Sequence, residues 1–126
     1  MTLEPVRPIT LDEVRNARER IAGTILRTPL VKLELGPDAP DIRLKLENLQ
    51  LINAYKLRGA ANAVALLPEA ERRRGVWTIS AGNAGQGVAY AAAKAGVPST
   101  VVTFVRFSLC IRRLMPSSMA RWMSSA

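Results

Sequence analysis

Apolar residues recur every three or four positions between residues 10 and 22, and this spacing predicts an amphipathic helix. Thr10 and Glu13 stand three residues apart at its start, which is the spacing of a capping box. Gly23 is expected to end the helix. The apolar positions of this stripe are Leu11, Val14, Ala17 and Ile21.

Strict alternation of apolar and charged residues follows, and it predicts strands at 28–35 and 42–47. Pro29 disfavours a helical conformation at Thr28, which supports the first strand. A turn-rich connection at 36–41 separates the two. Alternation leads us to expect a second strand buried on one face, at Ile42, Leu44 and Leu46.

The rest of the chain up to residue 103 alternates between predicted helices and strands. Helices are predicted at 56–67 and 84–96, and strands at 75–80 and 99–103. Together with the strand at 42–47, this order predicts an α/β fold, a parallel sheet with flanking helices.

The composition changes at about residue 104, so we divide the chain into an α/β part at 1–103 and an atypical basic tail at 104–126. The tail contains no Gly, Asp or Glu. Two hypotheses account for it: an ordinary amphipathic end, or a change of reading frame near Thr103, which its content of Arg, Ser, Met and Trp favours. In the first hypothesis the apolar face comprises Leu109, Ile111, Leu114 and Met115.

Composition excludes several classes of function. With one cysteine, Cys110, and no histidine, we expect no metal site, and a Ser-His-Asp or Cys-His catalytic set is ruled out. No apolar run approaches the roughly 18 residues of a membrane helix, and the N-terminus lacks the apolar centre of a signal peptide. We therefore expect a cytoplasmic protein with no membrane partner.

The net charge of +8 raises the question of nucleic acid binding. Half of this excess lies in 104–126, which holds four arginines and no acidic residue. No recognition motif or interleaved aromatic residues accompany the charge. We therefore expect no nucleic acid partner.

Two short segments carry candidate chemistry. Lys56 begins the predicted helix in "NAYKLRGAAN", between Tyr55 and Leu57, where an apolar environment is expected around its stem. A lysine in such surroundings is a nucleophile toward aldehydes, although an ordinary solvated lysine at a helix start is the alternative. The second segment, "SAGNAGQG" at 80–87, predicts a glycine turn at a helix N-terminus, which suits a carboxylate or phosphate. Glycines that merely allow close helix–strand packing are the alternative there.

Taken together, these segments resemble the threonine and serine dehydratase branch of the fold-type II pyridoxal-phosphate enzymes, the group that includes the tryptophan synthase β-subunit. The resemblance runs from about Ile9 to Thr103. It implies pyridoxal 5'-phosphate as cofactor, L-threonine or L-serine as substrate, and a 2-oxo acid and ammonia as products. It further implies that Lys56 forms the Schiff base with the cofactor and later takes the substrate's α-proton. Asn83 would bond the cofactor's ring hydroxyl, and the loop that binds the substrate carboxylate would comprise Ser80, Gly82, Asn83 and Gln86.

Departures from the family pattern qualify these expectations. Ala81 stands where serine racemases of the family carry a second serine, which favours elimination over racemisation. Ala54, Tyr55 and Ala84 replace the usual Ser, Phe and His of the motifs. The family's glycine-rich phosphate loop and the residue that contacts the pyridine nitrogen have no counterpart in the sequence. We therefore expect an N-terminal portion that is inactive alone, with a homo-oligomer only for a longer form.

Two alternatives to the enzyme remain. The chain could be a non-catalytic remnant of a frameshifted gene, with its motifs intact and its function lost. A basic binding module is the other alternative, and the balanced charge of 1–103 disfavours it.

Overall fold

The computed structural model describes residues 7–105 and 108–114, with side chains described for 7–103. Within these ranges the chain forms four helices, five strands and one 3₁₀ turn, at Glu47–Leu49. The helices are α1 (Leu11–Ile21), α2 (Lys56–Leu66), α3 (Glu69–Arg74) and α4 (Asn83–Lys94). The strands are β1 (Leu30–Lys32), β2 (Arg43–Lys45), β3 (Val76–Ile79), β4 (Ser99–Val105) and β5 (Ser108–Leu114).

Helix α1 begins as its sequence predicts. The Thr10 hydroxyl accepts a hydrogen bond from the Glu13 backbone N–H at 3.2 Å, and the Glu13 carboxylate accepts one from the Thr10 backbone N–H at 2.8 Å. Both halves of the capping box are therefore present. Arg7 forms an ion pair with the same carboxylate. This hydrogen bonding holds the pKa of Glu13 at about 2, with the Arg7 contact as the largest cause.

Strand β2 does not join the parallel sheet, which corrects the expectation drawn from strand order. It pairs antiparallel with β1, with Val31 opposite Leu44, in a separate two-stranded sheet. The reversal lies in the predicted turn, where Gly36 has φ +112° and its carbonyl accepts from the Ala39 N–H. All residues of β2 are exposed, so its expected buried face is also wrong for this chain.

The second sheet has the order β3-β4-β5. Strands β3 and β4 are parallel, with Val76 opposite Ser99, and α4 forms the crossover between them, as the sequence predicts. Strand β5 runs antiparallel to β4. The predicted boundary at 103/104 thus falls inside β4. Met115 and the side chains of the predicted apolar tail face lie outside the described residues.

Glycine ends α4 where expected. Gly96 has φ +70°, and the N–H of Val97 bonds to the carbonyl of Ala92 at 2.8 Å. A second bond joins the Gly96 N–H to the Ala93 carbonyl at 3.2 Å. This pair of bonds is a Schellman motif, in which a left-handed glycine closes the helix.

The core lies where α2 packs against α4. Leu57 is fully buried there, in a cluster of apolar side chains that includes Val64, Ala92 and Val97. Helix α4 also lies on β3 and β4. On β3 the side chains of Trp77 and Ile79 are 71% and 64% exposed. The face of β3 that carries these two side chains is therefore open to solvent.

None of the described helices combines the length and apolar character needed to cross a membrane.

Candidate functional site

Lys56 is the first residue of α2, as predicted. Its side chain is exposed, and its Nζ lies 4.7 Å from the centroid of the Tyr55 ring, in a cation–π contact. The expectation of an apolar environment around the lysine stem is therefore wrong for this chain. Of the two residues that flank Lys56, Tyr55 is exposed and only Leu57 is buried.

The second motif forms the turn from β3 into α4. Ser80 stays attached to the sheet, because its N–H donates to the Val102 carbonyl at 2.9 Å. Its Oγ accepts from the N–H of Gly82 at 3.2 Å. Gly82 is the N-cap and Asn83 the first residue of α4. The serine side chain thus fixes the conformation of the glycine turn just before the helix begins.

The start of α4 offers hydrogen-bond donors. The N–H groups of Gly85 and Gln86 bond to the Gly82 carbonyl. Those of Asn83 and Ala84 have no partner within the described part of the chain. Asn83 is exposed and Gln86 half-buried, and no acidic residue lies in the first turn. Free N–H groups and the positive end of the helix dipole together favour an anion at this position.

Two glycines bring the motifs together. A Cβ at Gly87 would lie 3.3 Å from the carbonyl oxygen of Lys56 and 3.4 Å from the Cβ of Ala60. A Cβ at Gly85 would lie 3.1 Å from the Ser80 carbonyl oxygen. Helix α4 therefore rests on the backbone of both motifs at once, which is the close packing that the alternative interpretation of these glycines predicts. No hydrogen bond joins the Lys56 side chain to those of Ser80, Asn83 or Gln86 among the residues described.

A polar network beside Lys56 was not predicted from the sequence. The Arg58 guanidinium donates from Nε and from Nη2 to the two carboxylate oxygens of Glu47, each at 2.7 Å. Thr28 donates from Oγ1 to the same carboxylate at 2.6 Å. These contacts hold the pKa of Glu47 at about 2, with the Arg58 hydrogen bonds as the largest cause. Arg58 and Glu47 are eleven positions apart, and no periodic pattern connects them.

The described residues contain no group of three or more His, Cys, Asp or Glu side chains placed to hold a metal ion. Outside the two motifs, a groove of about 450 Å³ lies between α1 and α2, lined by residues that include Val14 and Leu66. Neither candidate motif contributes to its lining. The chemistry predicted from the sequence is therefore confined to the starts of α2 and α4.

Comparison of the sequence with known proteins gives matches to one family. Residues 21–120 match the family model described as "Pyridoxal-phosphate dependent enzyme". An L-threonine ammonia-lyase from Thermotoga maritima is 43% identical over 96 residues, which cover 75% of this chain and 24% of that protein. A catabolic L-threonine dehydratase from Escherichia coli is 37% identical over 97 residues, covering 75% of this chain and 30% of that protein.

Solved structures give concordant matches. A serine racemase from Dictyostelium discoideum superposes with a TM-score of 0.72 and 34% identity, covering 79% of this chain and 34% of the other. A pyridoxal 5'-phosphate-dependent aspartate racemase superposes with a TM-score of 0.69 and 35% identity, covering 82% and 34%. The chain thus spans between a quarter and a third of the length of these relatives.

Proposed function

Because the chain belongs to the family of pyridoxal-phosphate dependent enzymes, we propose that it carries the cofactor lysine and the substrate-carboxylate loop of an L-threonine or L-serine ammonia-lyase. The observation that supports this most directly is the packing of Gly87 against the carbonyl of Lys56. It sets the lysine motif beside the first turns of α4, where the N–H groups of Asn83 and Ala84 have no partner among the residues that the structure describes.

Two of the residues present fit functional groups of pyridoxal phosphate, its aldehyde and its ring hydroxyl. An aldehyde requires an accessible amine, and the side chain of Lys56 is exposed. The ring hydroxyl requires a neutral hydrogen-bonding partner, and Asn83 is exposed at the start of α4. When bound, pyridoxal phosphate supplies an electron sink that acidifies the α-proton of an amino acid.

The chain's own residues have three roles in this proposal. Lys56 holds the cofactor and moves the proton at the substrate's α-carbon. The start of α4 binds the substrate carboxylate through backbone N–H groups, aided by the side chains of Ser80 and Gln86. Loss of the substrate's β-hydroxyl as water would give an enamine, and hydrolysis of its imine form by one water would release the 2-oxo acid and ammonia.

Ala81 favours elimination over racemisation. It lies in the exposed turn before α4, between Ser80 and Gly82. A methyl group can neither accept nor donate a proton, so this position supplies no second base to return a proton to the opposite side of the α-carbon. Because racemases are among the structural relatives, elimination and racemisation are the two outcomes between which Ala81 would decide in this chain.

Reductive trapping tests the assignment of the lysine. The 126-residue chain is incubated with pyridoxal phosphate, reduced with borohydride and mapped by peptide mass spectrometry. We expect the pyridoxyl group on Lys56 in excess of that on Lys32, Lys45 and Lys94. The Lys94→Ala variant serves as the control, since Lys94 is an exposed helical lysine at the far end of α4, and it should leave labelling of Lys56 unchanged. Equal labelling of all four lysines would contradict the proposal.

A further inference from the structure

Three segments of the chain meet at the carboxylate of Glu47. Glu47 lies in the 3₁₀ turn before α2, Arg58 in the first turn of α2, and Thr28 just before β1. The side chain of Glu47 is 18% exposed and that of Arg58 32%. A two-pronged arginine–carboxylate contact fixes direction as well as distance, because the planar guanidinium must align with both oxygens.

The segment between Glu47 and Lys56 is held by buried side chains at alternate positions. Gln50 is 2% exposed, and its amide both accepts from the backbone N–H and donates to the backbone carbonyl of Leu26. Ile52 and Ala54 are buried in the core. Between them Asn53 takes φ +54°, a left-handed conformation that asparagine tolerates. The backbone of the segment that leads to Lys56 is therefore held in one conformation.

The start of α2 itself lacks the usual stabilising contacts. Tyr55 occupies the N-cap and provides no side-chain hydrogen bond, and the first turn contains no acidic residue. Within the described residues the Lys56 amine contacts only the Tyr55 ring. The location of that amine thus depends on where the first turn of α2 is placed. Arg58 attaches that turn to the rest of the chain: its shortest contacts are those to Glu47, and longer ones run from Nη2 to the Leu26 carbonyl at 3.4 Å and to the Thr28 hydroxyl at 3.5 Å.

We propose that Glu47 is a positioning residue for Lys56 and acts through Arg58. This inference rests on the proposed function only in taking Lys56 as the cofactor lysine. A partly buried ion pair adds little net stability over apolar residues of similar size, whereas it does select one arrangement of the chain. We therefore expect the Arg58–Glu47 ion pair to fix the position of the start of α2 and to add little to the free energy of unfolding.

Site-resolved trapping on the 126-residue chain tests this. The measured quantity is the rate of pyridoxyl incorporation at Lys56 divided by that at Lys94, after reaction with pyridoxal phosphate and borohydride. Glu47→Gln and Arg58→Lys should each lower this ratio about tenfold, since small displacements of a reacting group have large effects on rate. Glu69→Gln is the matched control, because it removes an exposed ion pair with Arg73 in α3 and should leave the ratio unchanged.

A double variant separates positioning from stability. Glu47→Leu with Arg58→Met removes both charges together, so no unpaired charge remains and the urea midpoint should stay near that of the parent. The labelling ratio should still fall about tenfold. A ratio that survives in this variant and in Glu47→Gln would overturn the positioning role alone. A parent chain without preference for Lys56 would overturn the lysine assignment, and the positioning role with it.

Discussion

Replacing Gly85 by alanine places a methyl group 3.1 Å from the carbonyl oxygen of Ser80 and 3.2 Å from Cγ1 of Val101. Both distances are shorter than ordinary carbon contacts, so the surroundings must shift by a few tenths of an ångström. Val101 lies in β4 and Ser80 is bonded to that strand at Val102, so neither neighbour gives way easily. Such overpacking typically costs about 1–3 kcal/mol. Alanine also gains up to about 1 kcal/mol of helix propensity over glycine. The net expectation is a loss of roughly 0–2 kcal/mol in the free energy of unfolding.

Gly59 provides the matched control. It occupies the first turns of α2, is exposed, and has no heavy atom within 4 Å of an added Cβ. Gly59→Ala should therefore keep the propensity gain without the steric cost and stabilise the chain by about 1 kcal/mol. The two variants carry the same chemical change, so their difference of about 1–3 kcal/mol reports the contact of α4 with Ser80 and Val101.

Urea unfolding followed by far-ultraviolet circular dichroism measures this difference. With a denaturant slope of about 2 kcal/mol per molar urea, the two midpoints should lie roughly 0.5–1.5 M apart, with Gly59→Ala the higher. Equal upward shifts in both variants would refute the reasoning. They would mean that α4 does not rest on the carbonyl of Ser80, and that the turn before it is not held in the arrangement described.

Three further outcomes are expected. The pKa of Glu47 is lowered from 4.5 to about 2, so stability should be at its plateau above about pH 5 and fall, by roughly 2–3 kcal/mol, as the pH drops toward 2, because protonation of Glu47 leaves the charge of Arg58 unpaired. Glu47→Gln should remove this part of the pH dependence of the urea midpoint. In any longer form of this chain that turns over L-serine, pyruvate and ammonia should form with little D-serine, and Ala81→Ser should raise the D-serine fraction; abundant D-serine from the parent would contradict the role given to Ala81. Leu57→Ala should cost about 2–5 kcal/mol in the free energy of unfolding because Leu57 is fully buried, whereas Leu66→Ala, at an exposed position, should change it by less than about 0.5 kcal/mol.

Local signals in the sequence predicted the individual elements well; of the strand partners, they predicted the parallel pair β3–β4 correctly and the partner of β2 wrongly. The capping box at Thr10 and the left-handed Gly96 are each decided by a few neighbouring residues, so their sequence patterns are sufficient. The pairing of β2 depends on the chain reversal at Gly36 and on which other strand lies beside it. Alternation identifies a strand but says nothing about its partner, which is why β2 was assigned to the wrong sheet.

The candidate site shows the same division. The starts of α2 and α4 follow from short motifs, so Lys56 and Asn83 could be placed on the correct elements. The sequence left both an apolar environment and a solvated position open for Lys56, because its exposure depends on which segments cover the start of α2; the structure has it exposed. The contact of Arg58 with Glu47 was missed for a related reason: both residues are ordinary surface types in sequence, and only the folded path between them brings the charges together. Their roles in binding and catalysis remain predictions.

Helix α1 has local hydrogen bonds at its start but few contacts with the rest of the fold. Its capping box joins residues three positions apart, and Ile21 is the sole buried residue of the helix. A side-chain hydrogen bond from Arg20 to Asn62 connects it to α2. A segment with so few buried contacts can detach while the rest stays folded. Amide hydrogens of α1 should accordingly exchange with solvent well before those of α2 and α4, and, among the arginines of the described helices, trypsin should cut first at those of α1. The fragment left by that cleavage would keep both motifs, so the segment with the strongest local folding signal is also the one that the candidate site can lose first.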